Sequence, residues 1–293
     1  MAERSERLLK NAPKTSFLDN SNTPVLGGTA PRHAWGTAKK LASFALHWVD
    51  SIQSGSARQR YLDIGCGNGF ITELVAPGFD DVVGIDVENT RLEDFREHAG
   101  SKSNFQILLM SAARIEFPAE FFSLITSFEV LEHVPDLDAS AREMIRVCRP
   151  GGMIVISVPQ VWFPFENHGA RIGKWIYNGK VPILPYIRPL HRKCSLARVF
   201  SSAEMDRIFV PKGMELLGTS YATPQFERAA AKTGSWEGRL APLKPLLNRC
   251  EGIPVLRALT GVSMLKAYRK ALQQLVPTGS HDLHHQIDRN LRR

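Results

Sequence analysis

Tyr61-Leu62-Asp63-Ile64-Gly65-Cys66-Gly67-Asn68-Gly69-Phe70 is an apolar run with one acid that breaks into alternate glycines and then resumes a helical pattern. It reads as strand, tight loop and helix. Three glycines at alternate positions let the backbone pass close under a ligand, and the following helix points the positive end of its dipole at that ligand. A nucleotide phosphate is the first ligand such a loop suggests, but the spacing argues against it. A dinucleotide fingerprint has its last glycine three residues after the second, whereas here it comes two after, and no Lys-Ser or Lys-Thr pair follows as in a phosphate loop. Asp63 is also a poor neighbour for a phosphate. A carboxylate there suits a ligand carrying a positive amino or sulfonium group.

Asp81-Val82-Val83-Gly84-Ile85-Asp86-Val87 reads as a second strand ending in an acid, at about the distance downstream where an acid bridges the hydroxyls of a ribose. A ligand with a ribose and no phosphate follows. On these residues the chain resembles the class I S-adenosylmethionine-dependent methyltransferases, the type 11 and ubiquinone-pathway O-methyltransferases among them, whose Asp/Glu-x-Gly-x-Gly-x-Gly loop corresponds to Asp63 through Gly69. The resemblance implies that Asp63, Gly65, Cys66, Gly67, Asn68 and Gly69 hold the methionine part of S-adenosylmethionine. It places Asp86 and Val87 at the ribose, Ser111 and Ala112 near the adenine, and Glu129 beside the cofactor at the end of a later strand. Ser111 stands where the family has an acid that contacts the adenine amino group, and Ser123, in Phe122-Ser123-Leu124-Ile125, also replaces a family acid.

The rest of the chain fits this frame. Thr90 to His98 reads as a helix, Phe105 to Leu109 as a third strand, Phe122 to Ser127 as a fourth, and Asp138 to Arg149 as a helix stopped by Pro150-Gly151-Gly152. Met153 to Ser157 reads as a fifth strand, Glu204 to Phe209 as a helix, Met214 to Thr219 as a sixth strand, and Gly261 to Arg269 as an antiparallel seventh. Strands alternating with helices of this length predict an α/β, Rossmann-like architecture, a seven-stranded mostly parallel sheet with helices on both faces. The expected organisation is a flexible arm over 1–31 and a methyltransferase domain over 32–276. That domain opens with a leading helix over 32–55 and carries lid insertions over 159–200 and 222–260, and a disordered tail follows over 277–293.

Composition narrows the function classes. A chain of 293 residues with 43% hydrophobic and 23% charged content has the make-up of a soluble globular protein. No apolar run approaches the roughly 18 residues a bilayer span needs, and the N-terminus lacks a signal peptide's apolar core, so a cytoplasmic enzyme is expected. Cys66, Cys148, Cys194 and Cys250 are widely spaced with no Cys-x-x-Cys pair, which argues against a zinc ribbon or a disulfide framework. The net charge is +8, and residues 159–198 hold seven Lys or Arg against one acid, Glu166.

Methyl transfer from a sulfonium is an in-line displacement in which alignment does much of the work and a hydroxyl acceptor must lose its proton. His133, in Phe128-Glu129-Val130-Leu131-Glu132-His133 at the end of the fourth strand, is the candidate base, because imidazole titrates near neutrality. Glu129, Glu132 and His133 also place three ligands within one turn for a divalent metal such as Mg²⁺, with His191 as a fourth. This set resembles that of the ubiquinone-pathway O-methyltransferases and of enzymes that methylate the 3′ end of small RNAs. The same residues also fit a plainer role, capping a helix and accepting cofactor hydrogen bonds. The insertion combines Trp162, Phe163, Phe165, Trp175, Tyr177 and Tyr186 with seven cations, which suits a small, lipid-like or glycan acceptor and peripheral contact with anionic lipid. Nucleic acid, through a metal-assisted RNA 2′-O-methyltransferase, is the less favoured partner. A non-catalytic cofactor-binding regulator is the rival from another class, which Ser111 and Ser123 permit. His281, His284 and His285 sit in the polar tail, where a metal site is not expected.

Overall fold

The computed structural model describes residues 35–51, 58–99, 102–177, 180–222 and 261–272. The expected arm, the second insertion beyond Ala222 and the tail with its three histidines lie outside the described residues. The described chain begins with α1 (Trp35–Ser51), followed by β1 (Arg60–Ile64), α2 (Phe70–Val75), β2 (Asp81–Asp86), α3 (Asn89–Ala99), β3 (Phe105–Leu109) and β4 (Phe122–Phe128). Then come α4 (Leu137–Val147) and β5 (Cys148–Pro159). The insertion carries β6 (Phe165–Glu166), β7 (Ala170–Ile172), β8 (Trp175–Tyr177), β9 (Val181–Pro182) and α5 (Arg188–Cys194), and α6 (Ser202–Phe209), β10 (Met214–Ala222) and β11 (Ser263–Lys270) complete the fold.

Seven strands form one sheet in the order β10-β11-β5-β4-β1-β2-β3. β1 pairs in parallel with β2 and β4, β2 with β3, and β4 with β5, while β11 runs antiparallel to both β5 and β10. The central strands are apolar on both faces because helices cover both faces, as a parallel sheet requires. Leu62, Ile64 and Ile125 pack towards Met144, Ile145 and Val147 of α4 and Met205 and Phe209 of α6. Tyr61, Val82 and Leu124 pack with Leu41, Ala45 and Val49 of α1 and Val75 of α2. The α1 residues Ala38, Leu41, Ala42, Ala45 and Val49 are all buried, spaced at three and four residues, so one stripe of a helix meets the sheet. Asp136 caps α4 by accepting from the Ala139 N–H, and Ser201 with Glu204 forms a capping box that starts α6.

β5 begins earlier than the glycines suggest. Cys148 pairs with Phe122, the ladder slips, and it resumes at Met153 opposite Leu124. Gly151, at φ +73°, absorbs the irregularity.

The insertion between β5 and α6 is built on two short ladders, β6 with β9 and β7 with β8. It is tied to the main domain by Arg198, whose backbone N–H donates to Glu132 O at 3.1 Å and whose guanidinium donates to the carbonyls of Val134 and of Pro135. Among the described residues no helix is long and apolar enough to cross a membrane.

Candidate active site

The glycine loop and the Glu129–His133 segment meet at the carboxyl ends of β1 and β4, the edge where open parallel sheets bind ligands. Gly65 and Cys66 donate their N–H groups to Ile85 O at 2.7 and 3.0 Å. Gly67 N donates to Asp86 Oδ2 at 2.9 Å, and Asp86 Oδ1 accepts from Glu88 N at 3.0 Å. The acid at the end of β2 thus sits directly beside the loop. Gly67 has φ +54°, and among the described residues a Cβ built on it would meet nothing within 4 Å, so its face of the loop is open on that side. At Gly65 a Cβ would lie 2.2 Å from Val130 Cγ2, which shows how closely the segment after β4 packs on the loop. Ser111 Oγ accepts from Ala113 N at 3.2 Å, and Ala112 beside it is buried.

Asp63 lies beneath the loop, 3% exposed. Its Oδ1 accepts from Thr126 Oγ1 and its Oδ2 from Thr72 Oγ1, each at 2.6 Å, and Tyr61 Oη lies 2.8 Å from Thr126 Oγ1. The carboxylate therefore braces β1, β4 and α2 from below. Burial, opposed by the two hydroxyls, pushes the Asp63 carboxyl up to about 6. A folded value above the ordinary one of about 3.9 means that stabilisation is complete below pH ~4 and is lost as pH rises through about 6. Asp63→Asn cannot ionise. Between pH 4 and 7 the stability gap in urea unfolding should move in the variant's favour by on the order of 3 kcal/mol. A gap that stays constant would show that Asp63 does not titrate there.

Ser123 is also structural. Its hydroxyl accepts from Arg60 N and donates to Arg60 O, joining β4 to β1 inside the sheet.

After β4 the chain turns sharply. Glu129 takes φ +56°, a left-handed conformation rare for a residue with a side chain and concentrated at functional sites. It is held there by its N–H on Ser157 O and by the Ser157 hydroxyl, which donates to Glu129 Oε1 at 2.7 Å. Glu132 is fully buried, and among the described residues no other residue hydrogen-bonds either carboxylate oxygen; Nδ1 of the buried His133 also lacks a partner there. His133 Nε2 lies 3.8 Å and His168 Nε2 3.9 Å from Glu132 Oε1, with the two imidazole centroids 5.1 Å apart. Burial and the nearby Glu129 raise the Glu132 carboxyl, while burial and His168 push His133 down to about 3. His133 is therefore neutral, and its contact with Glu132 is not an ion pair.

Glu132, His133 and His168 each offer one ligand atom within 4.8 Å of the others. The buried Glu132 carboxylate beside one buried and one half-buried imidazole forms a donor set that fits a divalent cation. Of the residues expected to ligate, the structure brings Glu132 and His133 together, puts the Glu129 carboxylate on Ser157, and sends His191 to Glu166, with Nε2 2.5 Å from Oε2. The position expected of His191 is taken by His168. The only sequence signal for it is an acid-x-His step, Glu166-Asn167-His168, inside an otherwise basic insertion. Burial works to raise the Glu166 carboxyl, but hydrogen bonds from His168 and His191 outweigh it and hold the group down at about 2.

Comparison with known proteins bears on the family and the fold. The model of a family described as Methyltransferase domain matches residues 62–156. The ubiquinone biosynthesis O-methyltransferase of Aromatoleum aromaticum is 33% identical over 186 residues, 60% of this chain and 73% of that one. The enzyme of the same description from Idiomarina loihiensis is 31% identical over 178 residues, covering 58% and 71%. A solved S-adenosylmethionine dependent methyltransferase from Mesorhizobium loti superposes with a TM-score of 0.52 at 17% identity over 80% of this chain and 100% of that one. A geranyl diphosphate methyltransferase, solved in complex with GPP and sinefungin, gives 0.54 at 17% over 80% and 79%. The solved structures bear on the fold alone, and the relatives, at 30% identity and over, on the family. Sequence motifs, sheet order and relatives agree that the chain belongs to the class I S-adenosylmethionine-dependent methyltransferases.

Proposed function

We propose that this enzyme methylates a hydroxyl of a small, lipid-like or glycan metabolite, with a divalent metal held by Glu132, His133 and His168. The observation that carries the reading is the buried carboxylate with two imidazoles beside it and no hydrogen bond to another described residue. S-adenosylmethionine supplies the electrophilic methyl group when bound. On the protein side, Gly67 leaves room above the loop, the Asp86 carboxylate would accept from ribose hydroxyls, and Asp63 stiffens the loop from beneath. Val87, Ser111 and Ala112 line the way to the adenine, with Cys66, Asn68, Gly69 and Glu129 completing the cofactor wall. A divalent cation would supply Lewis acidity towards the acceptor hydroxyl. Two imidazoles beside one carboxylate shift the preference from Mg²⁺ towards transition metals. Without a cation, His133 would take the acceptor proton only as a weak base, because burial and His168 hold it down at about 3 rather than near neutrality.

The lipid-like acceptor is favoured by the β7–β8 hairpin. Ile172, Trp175 and Tyr177 are 71, 74 and 58% exposed, and Lys174 stands 5.8 Å from the Trp175 ring centre. Exposed aromatic and apolar groups beside cations suit the headgroup layer of an anionic membrane, where such an acceptor would be found.

The test is transfer of labelled methyl from S-adenosylmethionine into an extract of the parent organism, fractionated into lipid, polar metabolites, RNA and protein, with and without chelator. Label is expected in lipid or polar metabolites, at least tenfold lower after chelation and restored by Mn²⁺, Co²⁺ or Zn²⁺. Label in RNA would overturn the acceptor assignment, and undiminished transfer after chelation would remove the metal.

A further inference from the structure

We propose that Glu166, supported by His191, is a positioning residue that fixes His168 as its Nδ1-protonated tautomer and presents the Nε2 lone pair to Glu132 and His133. The purpose of this device rests on the metal reading above. The tautomer itself follows from hydrogen-bond arithmetic.

Glu166 Oε1 lies 2.7 Å from the His168 backbone N and 3.1 Å from its Nδ1. An ionised carboxylate has no proton to give and accepts in both contacts, so Nδ1 carries the proton. In a neutral imidazole that leaves Nε2 as the acceptor, and this is the atom 3.9 Å from Glu132 Oε1. The other oxygen, Oε2, is engaged by His191 Nε2 at 2.5 Å. Glu166 is 1% exposed and His191 3%.

The fold brings these groups together from three pieces of the insertion. β6 carries Glu166 and is fixed by pairing with Val181 of β9. The turn carrying His168 passes through Gly169 at φ +87° into β7. α5 carries His191, whose backbone N–H donates to Ile187 O at 2.8 Å. A carboxylate that orients a ligating imidazole through its second nitrogen typically changes metal affinity 10–100-fold when removed. A purely structural hub would affect stability and leave the tautomer and the cation alone.

The experiment reads both. Long-range ¹H–¹⁵N correlation of the metal-free protein, with His168 assigned by His168→Gln, should show a pyrrole-like Nδ1 and a pyridine-like Nε2. Glu166→Gln should make His168 exchange between tautomers and weaken binding of Co²⁺ alone by about 10–100-fold, with S-adenosylmethionine affinity kept. An Nε2-protonated His168 in the wild type overturns the proposal, as does a Glu166→Gln protein with unchanged tautomer and unchanged Co²⁺ affinity. If the wild type binds no Co²⁺, the metal reading fails while the tautomer still decides the role of Glu166. If Glu166→Gln does not fold, the wild-type spectrum and His191→Gln, expected to loosen the same tautomer preference, decide it.

Discussion

His133→Ala is expected to lower methyl transfer by roughly 10²- to 10⁴-fold, while S-adenosylmethionine binding measured by calorimetry stays within a factor of about 3 of wild type. His133 is buried, and its ring faces His168 and Glu132. As proton acceptor it would take the acceptor hydroxyl's proton, and as ligand it would complete the donor set. Either way its loss strikes the chemical step and spares the loop that holds the cofactor. Glu132→Gln separates the two roles, because an amide keeps the volume of the buried carboxyl and loses the anionic ligand. Activity that survives in Glu132→Gln but not in His133→Ala would identify His133 as a base acting without a cation. A loss below tenfold in His133→Ala would reduce that residue to packing at the turn after β4. Binding that falls in step with activity would move His133 into the cofactor wall.

How much of this was legible in the sequence depends on how local the governing physics is. The strand-loop-helix at Tyr61–Phe70 and the acid ending β2 were readable because glycine spacing and strand alternation act over a few residues. The parallel pairing of the central strands follows from that alternation of strands and helices, whereas the strand order is set by packing between distant elements. Two features were less local. Asp63 reads as a partner for a positive ligand, whereas its two oxygens are engaged by Thr72 and Thr126, one of them 63 positions away. Ser123 reads as a missing family acid, yet its hydroxyl bonds both backbone groups of Arg60. His168 was the hardest to see. It reaches Glu132 because β6, a glycine turn and α5 fold together, and no periodicity in an insertion of two- and three-residue strands announces that juxtaposition. α4 ends at Val147, two residues short of the Arg149 end expected from Pro150-Gly151-Gly152, because pairing between Cys148 and Phe122 begins β5 there and takes those three residues into the strand.

The glycine loop yields the second large effect, because its glycines are required for different reasons. Gly67→Ala should weaken S-adenosylmethionine binding about 5- to 150-fold and lower unfolding free energy by only about 1–2 kcal/mol, the usual cost of a left-handed L-residue. Its Cβ meets no atom of the described residues within 4 Å. The methyl would stand in the space above the loop where the cofactor is expected, and crowding a close-packed contact by one carbon costs roughly 1–3 kcal/mol, or about 5- to 150-fold in affinity. Gly69 has φ +76°, and a Cβ there would lie 2.1 Å from Phe95 Cδ2, inside the cluster of Cys66, Leu92, Phe95 and Ala99. Gly69→Ala adds overpacking to the same strain, for roughly 2–5 kcal/mol lost from the cofactor-free protein. Urea unfolding without cofactor and calorimetric titration with it measure the two costs separately. The loop's role at the cofactor predicts a binding defect for Gly67→Ala and a folding defect for Gly69→Ala. Wild-type affinity in a well-folded Gly67→Ala protein would place the cofactor elsewhere along the sheet edge, because the loop would then have lost nothing it needs.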